Sequence, residues 1–332
     1  MDDSFPRFSV VVPVRNEEEL LPELVTRLTR VLEALDDTWE VLLVDDGSTD
    51  ATYGLAVEAH TRDPRFKVVR LSRGFGHQLA LSAGLDLARG DAVLTMDGDL
   101  QHPPEVIPEL VARWRAGDEI VYAVMTERPG EGRFKDWTAR VFYRLLGRLA
   151  EIEVPIGAGD FRLVDRRALD AVRAMRESNR YLRGMFSWVG FRQSGVPYVH
   201  PARTAGQTKY TSFRMFRLAT DAVIGFSSRP LRLGLNLGFL VSIASLVFGL
   251  AALVGRLVGG FAVPGWTSLA VIVGIVGGIQ LIVLGIIGEY IAHIFDEVKR
   301  RPLYVVTRTH GLPEAELESV EELARESPGR RG

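Results

Sequence analysis

Val93-Leu94-Thr95-Met96-Asp97-Gly98-Asp99-Leu100-Gln101-His102-Pro103 is an apolar strand running into two aspartates, with one glycine between them. Residues i and i+2 of a strand face the same side, so the spacing predicts that both carboxylates turn toward one cation. Gly98 removes side-chain bulk where a ligand would approach the backbone. Hard oxygen donors suit Mg2+ or Mn2+ shared with substrate phosphates. The stretch therefore predicts a metal-diphosphate site at the carboxyl end of a strand, where open α/β sheets bind ligands.

The flanking sequence alternates strand and helix signals. Strands are predicted at 8–14, 39–44, 66–71, 92–96 and 120–124, and helices at 17–35, from 50 to about 60, and at 78–88. Ser48 or Asp50 is a candidate cap for the second helix, and Pro103-Pro104 suits the first turn of another. This order predicts a mostly parallel sheet with helices on both faces. Glu17, Asp45-Asp46 and Asp97/Asp99 then follow strands one, two and four along one sheet edge, with Gln101 as a neutral oxygen ligand. A phospho-receiver domain is excluded, because its acidic pair follows the first strand and a lysine follows a later one.

The 332 residues carry a net charge of −2 and no cysteine. No basic excess points to nucleic acid, and disulfides, zinc-thiolate sites and thiol catalysis are ruled out. No two histidines stand at a metal-pair spacing, so zinc is not expected. Met1-Asp2-Asp3-Ser4 is acidic and unlike a secretory signal, which predicts a cytoplasmic site.

Two runs lack charge, Leu233 to Gly255 and Leu257 to Gly288, the second containing the turn Pro264-Gly265. As helix the first spans roughly 35 Å, enough for a bilayer core. Arg229 and Arg232 precede these runs and Lys299, Arg300 and Arg301 follow them, while only Arg256 lies between. The positive-inside rule then predicts two transmembrane helices with both termini and the catalytic part in the cytoplasm, at the inner membrane. Gly274 and Gly278 predict a small-residue helix contact. Residues 134–149 and 211–230 mix aromatic and aliphatic residues with arginine, as amphipathic interface helices do. The expected division is a catalytic domain at 1–210 that includes the first such helix, the second at 211–230, spans at 231–296 and a cytoplasmic tail at 297–332.

Val12-Pro13-Val14-Arg15-Asn16-Glu17, Val44-Asp45-Asp46-Gly47-Ser48-Thr49-Asp50 and Met96-Asp97-Gly98-Asp99-Leu100-Gln101-His102-Pro103, in that order, resemble family 2 glycosyltransferases of the GT-A, Rossmann-like fold. Gly157-Ala158-Gly159-Asp160-Phe161-Arg162-Leu163, Arg203-Thr204-Ala205-Gly206-Gln207-Thr208-Lys209-Tyr210 and the spans narrow the resemblance to polyprenyl-phosphate glycosyltransferases, the bactoprenol glucosyltransferases and dolichol-phosphate mannose synthases. It implies that Pro13, Arg15, Glu17, Asp45, Asp46 and Gly76 line a nucleotide-sugar pocket. It implies that Asp97, Asp99 and Gln101 hold Mg2+ or Mn2+ on the donor diphosphate, with Asp160 at the sugar and acceptor site. A homo-tetramer is compatible with the family.

A polyprenyl phosphate carries roughly −1.5 to −2 charge at pH 7, so its oxygen attacks without strong base catalysis, and Asp160 is expected to orient rather than deprotonate. Arg128, Arg133, Arg203 and Lys209 are the candidate cations for that phosphate. The segment 185–192 resembles the bactoprenol branch, which tilts the donor toward UDP-glucose, with UDP-GlcNAc, UDP-galactose and GDP-mannose as the alternatives. The expected activity is inverting transfer of one hexose to undecaprenyl phosphate or a similar lipid for cell-envelope glycosylation. Two rivals fit less well. A processive synthase needs Gln where Leu110 stands, three residues before Arg113-Trp114, and an inactive nucleotide-sugar-binding scaffold would have lost the acidic pair or Asp160.

Overall fold

The computed structural model describes residues 5–125, 158–199, 229–259 and 266–313. They fall into two compact units, one formed by the residues before the long helices together with those from Arg300 onward, the other by the helices.

In the first unit β1 (Phe8–Val14), β2 (Trp39–Asp45), β3 (Phe66–Leu71) and β4 (Ala92–Thr95) lie parallel. They are joined by α1 (Leu21–Glu33), α2 (Thr52–Arg62) and α3 (His77–Leu87). Next come α4 (Ile107–Arg115), β5 (Ile120–Met125), β6 (Ala158–Asp165), α5 (Arg166–Ala174), α6 (Leu182–Trp188), β7 (Gln193–Tyr198) and β8 (Val306–His310). The sheet order is β7-β5-β6-β4-β1-β2-β3-β8. Every residue of β1 and β2 is buried, as expected for parallel strands covered on both faces. Leu21, Leu24, Leu28 and Leu32 form the buried stripe of α1, each contributing about 2 kcal/mol by leaving water. Small residues let α3 lie close to the sheet: a Cβ on Gly84 would collide with the Val11 side chain and stand 3.0 Å from Val44 Cγ2.

β6 is antiparallel to both neighbours. That reversal sets the start of β6 beside the ends of β4 and β5, with Thr95 opposite Arg162 and Val124 opposite Ala158. The parallel pattern of the first four strands continues as expected, and the mixed far half is the addition. α1 begins at Leu21 rather than at 17, because Leu20 and Leu21 N–H groups both donate to Glu17 O in a turn. Asp50 serves the start of α2, accepting from Thr52 N at 3.0 Å, whereas Ser48 Oγ instead accepts from Asn16 N at 3.1 Å.

Residues 303–310 lie within the stretch expected to be a tail, yet they pack into the catalytic unit, and 306–310 form a strand of the sheet. Leu303 and Tyr304 are buried, and β8 pairs antiparallel with β3, from Val68 opposite His310 to Leu71 opposite Val306.

The second unit holds α7 (Arg229–Gly259) and α8 (Trp266–Val298). Among the described residues one helical stretch is long and apolar enough to cross a membrane, Ile275–Val298, with a mean hydropathy of 1.9 and none of its most apolar window buried. Gly234–Phe248 of α7 is apolar but shorter. The pair of spans expected from sequence is thus present as two long helices, of which one meets the length and composition for crossing. A Cβ on Gly234 would rest 3.5 Å from Val283 Cγ2, while Gly278 faces open space, so Gly278 does not make the helix contact expected of it. The amphipathic segments 134–149 and most of 211–230 lie outside the described residues.

Candidate active site at the carboxyl ends of the strands

β2 ends on Asp45, whose side chain is fully buried. Its Oδ1 accepts from Ser48 N at 3.0 Å and its Oδ2 lies 3.3 Å from Arg70 Nε. Arg70 in turn lies over the Tyr53 ring, 4.1 Å from its centre. Asp46 holds the next loop: Oδ1 accepts from Phe75 N at 2.6 Å and Oδ2 from Gly76 N at 3.0 Å. Gly76 has φ 104°, a region that favours glycine, and opens α3. Gly47 has φ 68°, and a Cβ there would come within 2.6 Å of the Arg73 carbonyl carbon. The exposed Arg15 covers Gly74 and approaches Asp46 Oδ2 at 3.4 Å. Pro13 is buried in β1 opposite Val44, and Glu17 N donates to Thr52 Oγ1 at 2.8 Å. All six residues expected at the nucleotide pocket therefore stand on the loops and strand ends of β1, β2 and β3.

β4 stops at Thr95, so strand alternation does not aim Asp97 and Asp99. They belong to a turn. Asp97 N donates to His102 Nδ1 at 3.0 Å, Gln101 N donates to Asp99 Oδ1 at 3.1 Å, and Leu100 takes φ 60°. Because His102 Nδ1 accepts an N–H, it carries no proton toward Asp97 Oδ2 at 3.5 Å, and that approach is not a charged pair. The imidazole is held flat against Phe161, with ring centres 5.1 Å apart. Gly98 is required for a different reason from the one read in the sequence. A Cβ there would stand 3.0 Å from Val14 Cγ1 and 3.2 Å from Pro13 O, so glycine admits the end of β1 rather than a ligand.

Asp160, at the start of β6, is 5% exposed and tied on all sides. Arg183 Nε and Nη2 donate to its two oxygens at 2.9 Å each, Gln78 Nε2 donates at 3.1 Å, and its carbonyl accepts from Thr95 Oγ1. Burial opposes the charge, but the Arg183 guanidinium and the His77 hydrogen bond hold the carboxyl well below the usual carboxylate range. An ionised carboxylate held this way is a poor proton acceptor and a rigid anchor. His77, at the first turn of α3, bridges the two acidic sites: Nε2 lies 3.3 Å from Asp97 Oδ1 and 3.3 Å from Asp160 Oδ2. Burial works against its protonation, yet Asp160 and Asp97 together raise its pKa. Below Asp160, the buried Arg162 donates to Gly159 O at 2.7 Å and faces the Phe186 ring; burial lowers its pKa to about 10.

Asp97 Oδ1 is buried without a hydrogen bond, and among the described residues no Lys or Arg pairs with Asp97 or Asp99. An orphaned carboxylate oxygen beside a second aspartate fits a hard divalent cation. Among the described residues no three His, Asp or Glu side chains converge as a metal cluster, so the protein ligands would be few and phosphate oxygens would complete the shell. The half-buried Gln101 is next to the pair in the same turn. Arg128, Arg133, Arg203 and Lys209 lie outside the described residues.

Arg183, Gln78 and His77 carry no site role in the sequence reading. Gln78 follows the Gly76-His77 step and had a local signal in its place at a helix start. Arg183 had none, since only folding brings α6 back over β6.

A parallel half-sheet with acidic loops at its carboxyl ends, closed by an antiparallel strand carrying a buried aspartate, defines a mixed α/β fold of GT-A-like form. The sequence model of glycosyl transferase family 2 matches residues 9–173. The uncharacterized glycosyltransferase YkcC of Bacillus subtilis is 44% identical over 311 residues, covering 94% of this chain and 96% of that protein. The SfII prophage-derived bactoprenol glucosyl transferase of Shigella flexneri is 38% identical over 304 residues, covering 92% and 98%. A solved glucosyl-3-phosphoglycerate synthase from Mycobacterium tuberculosis, in complex with Mn2+, UDP and phosphoglyceric acid, overlaps 66% of this chain and 76% of its own, at 20% identity and a TM-score of 0.48. The chain belongs to glycosyl transferase family 2.

Proposed function

We propose that this glycosyltransferase moves one hexose, glucose from UDP-glucose, to undecaprenyl phosphate or a similar polyprenyl phosphate, with inversion at the anomeric carbon. The likeness to a bactoprenol glucosyl transferase over nearly the full length of both chains supports the lipid acceptor. The observation that carries the chemistry is the pairing of an Asp97/Asp99 turn that no Lys or Arg among the described residues faces with a locked Asp160 across His77. Asp97, Asp99 and Gln101 would hold Mg2+ or Mn2+, which supplies Lewis-acid neutralisation of the departing nucleoside diphosphate. Pro13, Arg15, Glu17, Asp45, Asp46 and Gly76 would shape the nucleoside pocket. Asp160, kept ionised by Arg183, orients the sugar or the acceptor, and the acceptor phosphate attacks with its own charge.

The helices at 231–296 would cross the inner membrane twice with both termini and the 1–210 domain in the cytoplasm. Arg128, Arg133, Arg203 and Lys209 would meet the lipid phosphate at the headgroup layer, beside interface helices at 134–149 and 211–230. This arrangement delivers a soluble donor to an acceptor confined to the bilayer.

The test supplies the full chain in lipid with radiolabelled UDP-glucose and polyprenyl phosphate, then repeats it with Asp99→Asn. Label should pass to lipid in the wild type and fall about 100-fold or more in the variant. Unchanged transfer by Asp99→Asn sinks the metal assignment. A parallel screen of UDP-GlcNAc, UDP-galactose and GDP-mannose, read by mass spectrometry of the lipid product, decides the donor.

A further inference from the structure

The chain that leaves α8 at Val298 returns to the catalytic unit within a few residues. Tyr304 is 5% exposed, and its hydroxyl donates to Asp86 Oδ2 at 2.7 Å. Burial and the Asp86 charge keep the phenol pKa well above its usual value, so it holds its proton and remains a donor. Asp86 also takes Arg176 Nη1 on both oxygens, at 3.0 and 2.8 Å. Asp86 lies in the last turn of α3. The same helix begins with His77 and Gln78, which both reach Asp160.

Between these ends the contacts connect through the backbone beside Arg176, where Met175 O accepts from Arg180 Nη1. Arg180 Nε donates to Ser82 Oγ at 3.2 Å, and Ser82 Oγ donates to Gln78 O at 2.8 Å. Gln78 then divides its amide, giving Nε2 to Asp160 and accepting Leu182 N on Oε1 at 3.1 Å. Leu182 adjoins Arg183, which grips Asp160 from the other side. α3 is thus fastened at its far end by a residue from the C-terminal return and presents its near end to the reacting site. Helix position matters here, since a shift of roughly 1 Å in a positioned group can cost 100-fold in rate.

We propose that Tyr304 is a positioning residue for the transfer reaction, acting through α3 and Gln78 on Asp160. Sugar transfer then depends on the seating of the chain that emerges from the apolar helix. The part of this inference that concerns rate rests on the transferase reading above; the mechanical part does not.

The experiment compares the full chain in lipid with Tyr304→Phe, Gln78→Ala, the double variant, and Thr307→Val on exposed β8 as a control. Tyr304→Phe should lower kcat roughly fivefold with donor KM within about twofold, while Thr307→Val leaves both unchanged. The double variant should be no slower than Gln78→Ala alone, because the two changes interrupt one path. Multiplicative losses, or an unaffected kcat in either single variant, overturn the proposal. Amide exchange at Leu79 and Ala80, whose N–H groups bond to Gly76 O, should quicken in Tyr304→Phe. Quickening confined to residues 303–310 overturns it as well. If the wild type transfers no sugar to lipid, the functional reading fails, and exchange alone decides whether Tyr304 governs the start of α3.

Discussion

The ends of β2 and β4 resemble each other as sequence, Asp45-Asp46-Gly47 against Asp97-Gly98-Asp99, and differ in what surrounds their charges. At β2 the two carboxylates face two guanidiniums, Arg70 and Arg15, and take N–H groups from Ser48, Phe75 and Gly76. They organise backbone. At β4 no Lys or Arg among the described residues faces either aspartate, and Asp97 Oδ1 is buried with only the His77 imidazole near it. Asp160 next door has its own guanidinium and lends none. Two half-buried carboxylates one residue apart, with no guanidinium or ammonium among the described residues to balance them, repel each other and favour the approach of a cation. Two similar acidic motifs on one sheet edge therefore differ in setting: one is tied to the loops that would shape the nucleoside pocket, and the other, on the proposed reading, would take the cation.

The comparison breaks most visibly at Asp97. Asp97→Asn should cut sugar transfer about 100-fold or more while changing thermal stability little, since the side chain is 32% exposed and faces no Lys or Arg among the described residues; a stable variant with full activity removes the distinction. Next in size is Arg183→Met, which strands the Asp160 carboxylate. A cost of about 2–4 kcal/mol is expected, near the low end for a buried pair because Arg183 is one third exposed, readable by urea denaturation. The sign of the pH dependence follows from the depressed Asp160 pKa. Its stabilisation is fully present above the unfolded value of about 3.9 and is lost as pH falls through the lower folded value. Asp160→Asn should therefore flatten the acid limb of the melting-temperature profile.

Smaller effects belong to β2. Asp46→Asn weakens the acceptor of two loop N–H groups and should cost about 1–3 kcal/mol, raising the donor KM as the loop loosens and lowering kcat less than Asp97→Asn does. Gly47→Ala should cost about 1–2 kcal/mol from positive φ and the Arg73 backbone contact. A rate loss in Asp46→Asn as large as in Asp97→Asn, at unchanged stability, would erase the contrast.

Much of this was legible in order along the chain. The first four strands, their helices and the acidic loops follow from hydrophobic period and turn chemistry, because those signals are local. The aim of the aspartates was not. Asp97 and Asp99 were expected to share a strand face, but Met96 already leaves β4, and a His102 acceptor and an Asx-type closure at Gln101 set the turn. Gly98 was read as space for a ligand and serves β1 instead.

The amino-acid sequence alone determined the parallel half of the sheet, the motifs at its carboxyl edge, the two long apolar helices and the family resemblance. Each is encoded in neighbouring residues or in composition. Only the tertiary structure decided that Arg183 and Gln78 lock Asp160, that β6 runs backwards to bring it there, and that Tyr304 returns from beyond the helices to Asp86, 218 positions away. Buried polar groups must find partners wherever the fold supplies them, and no local pattern names a partner that distant.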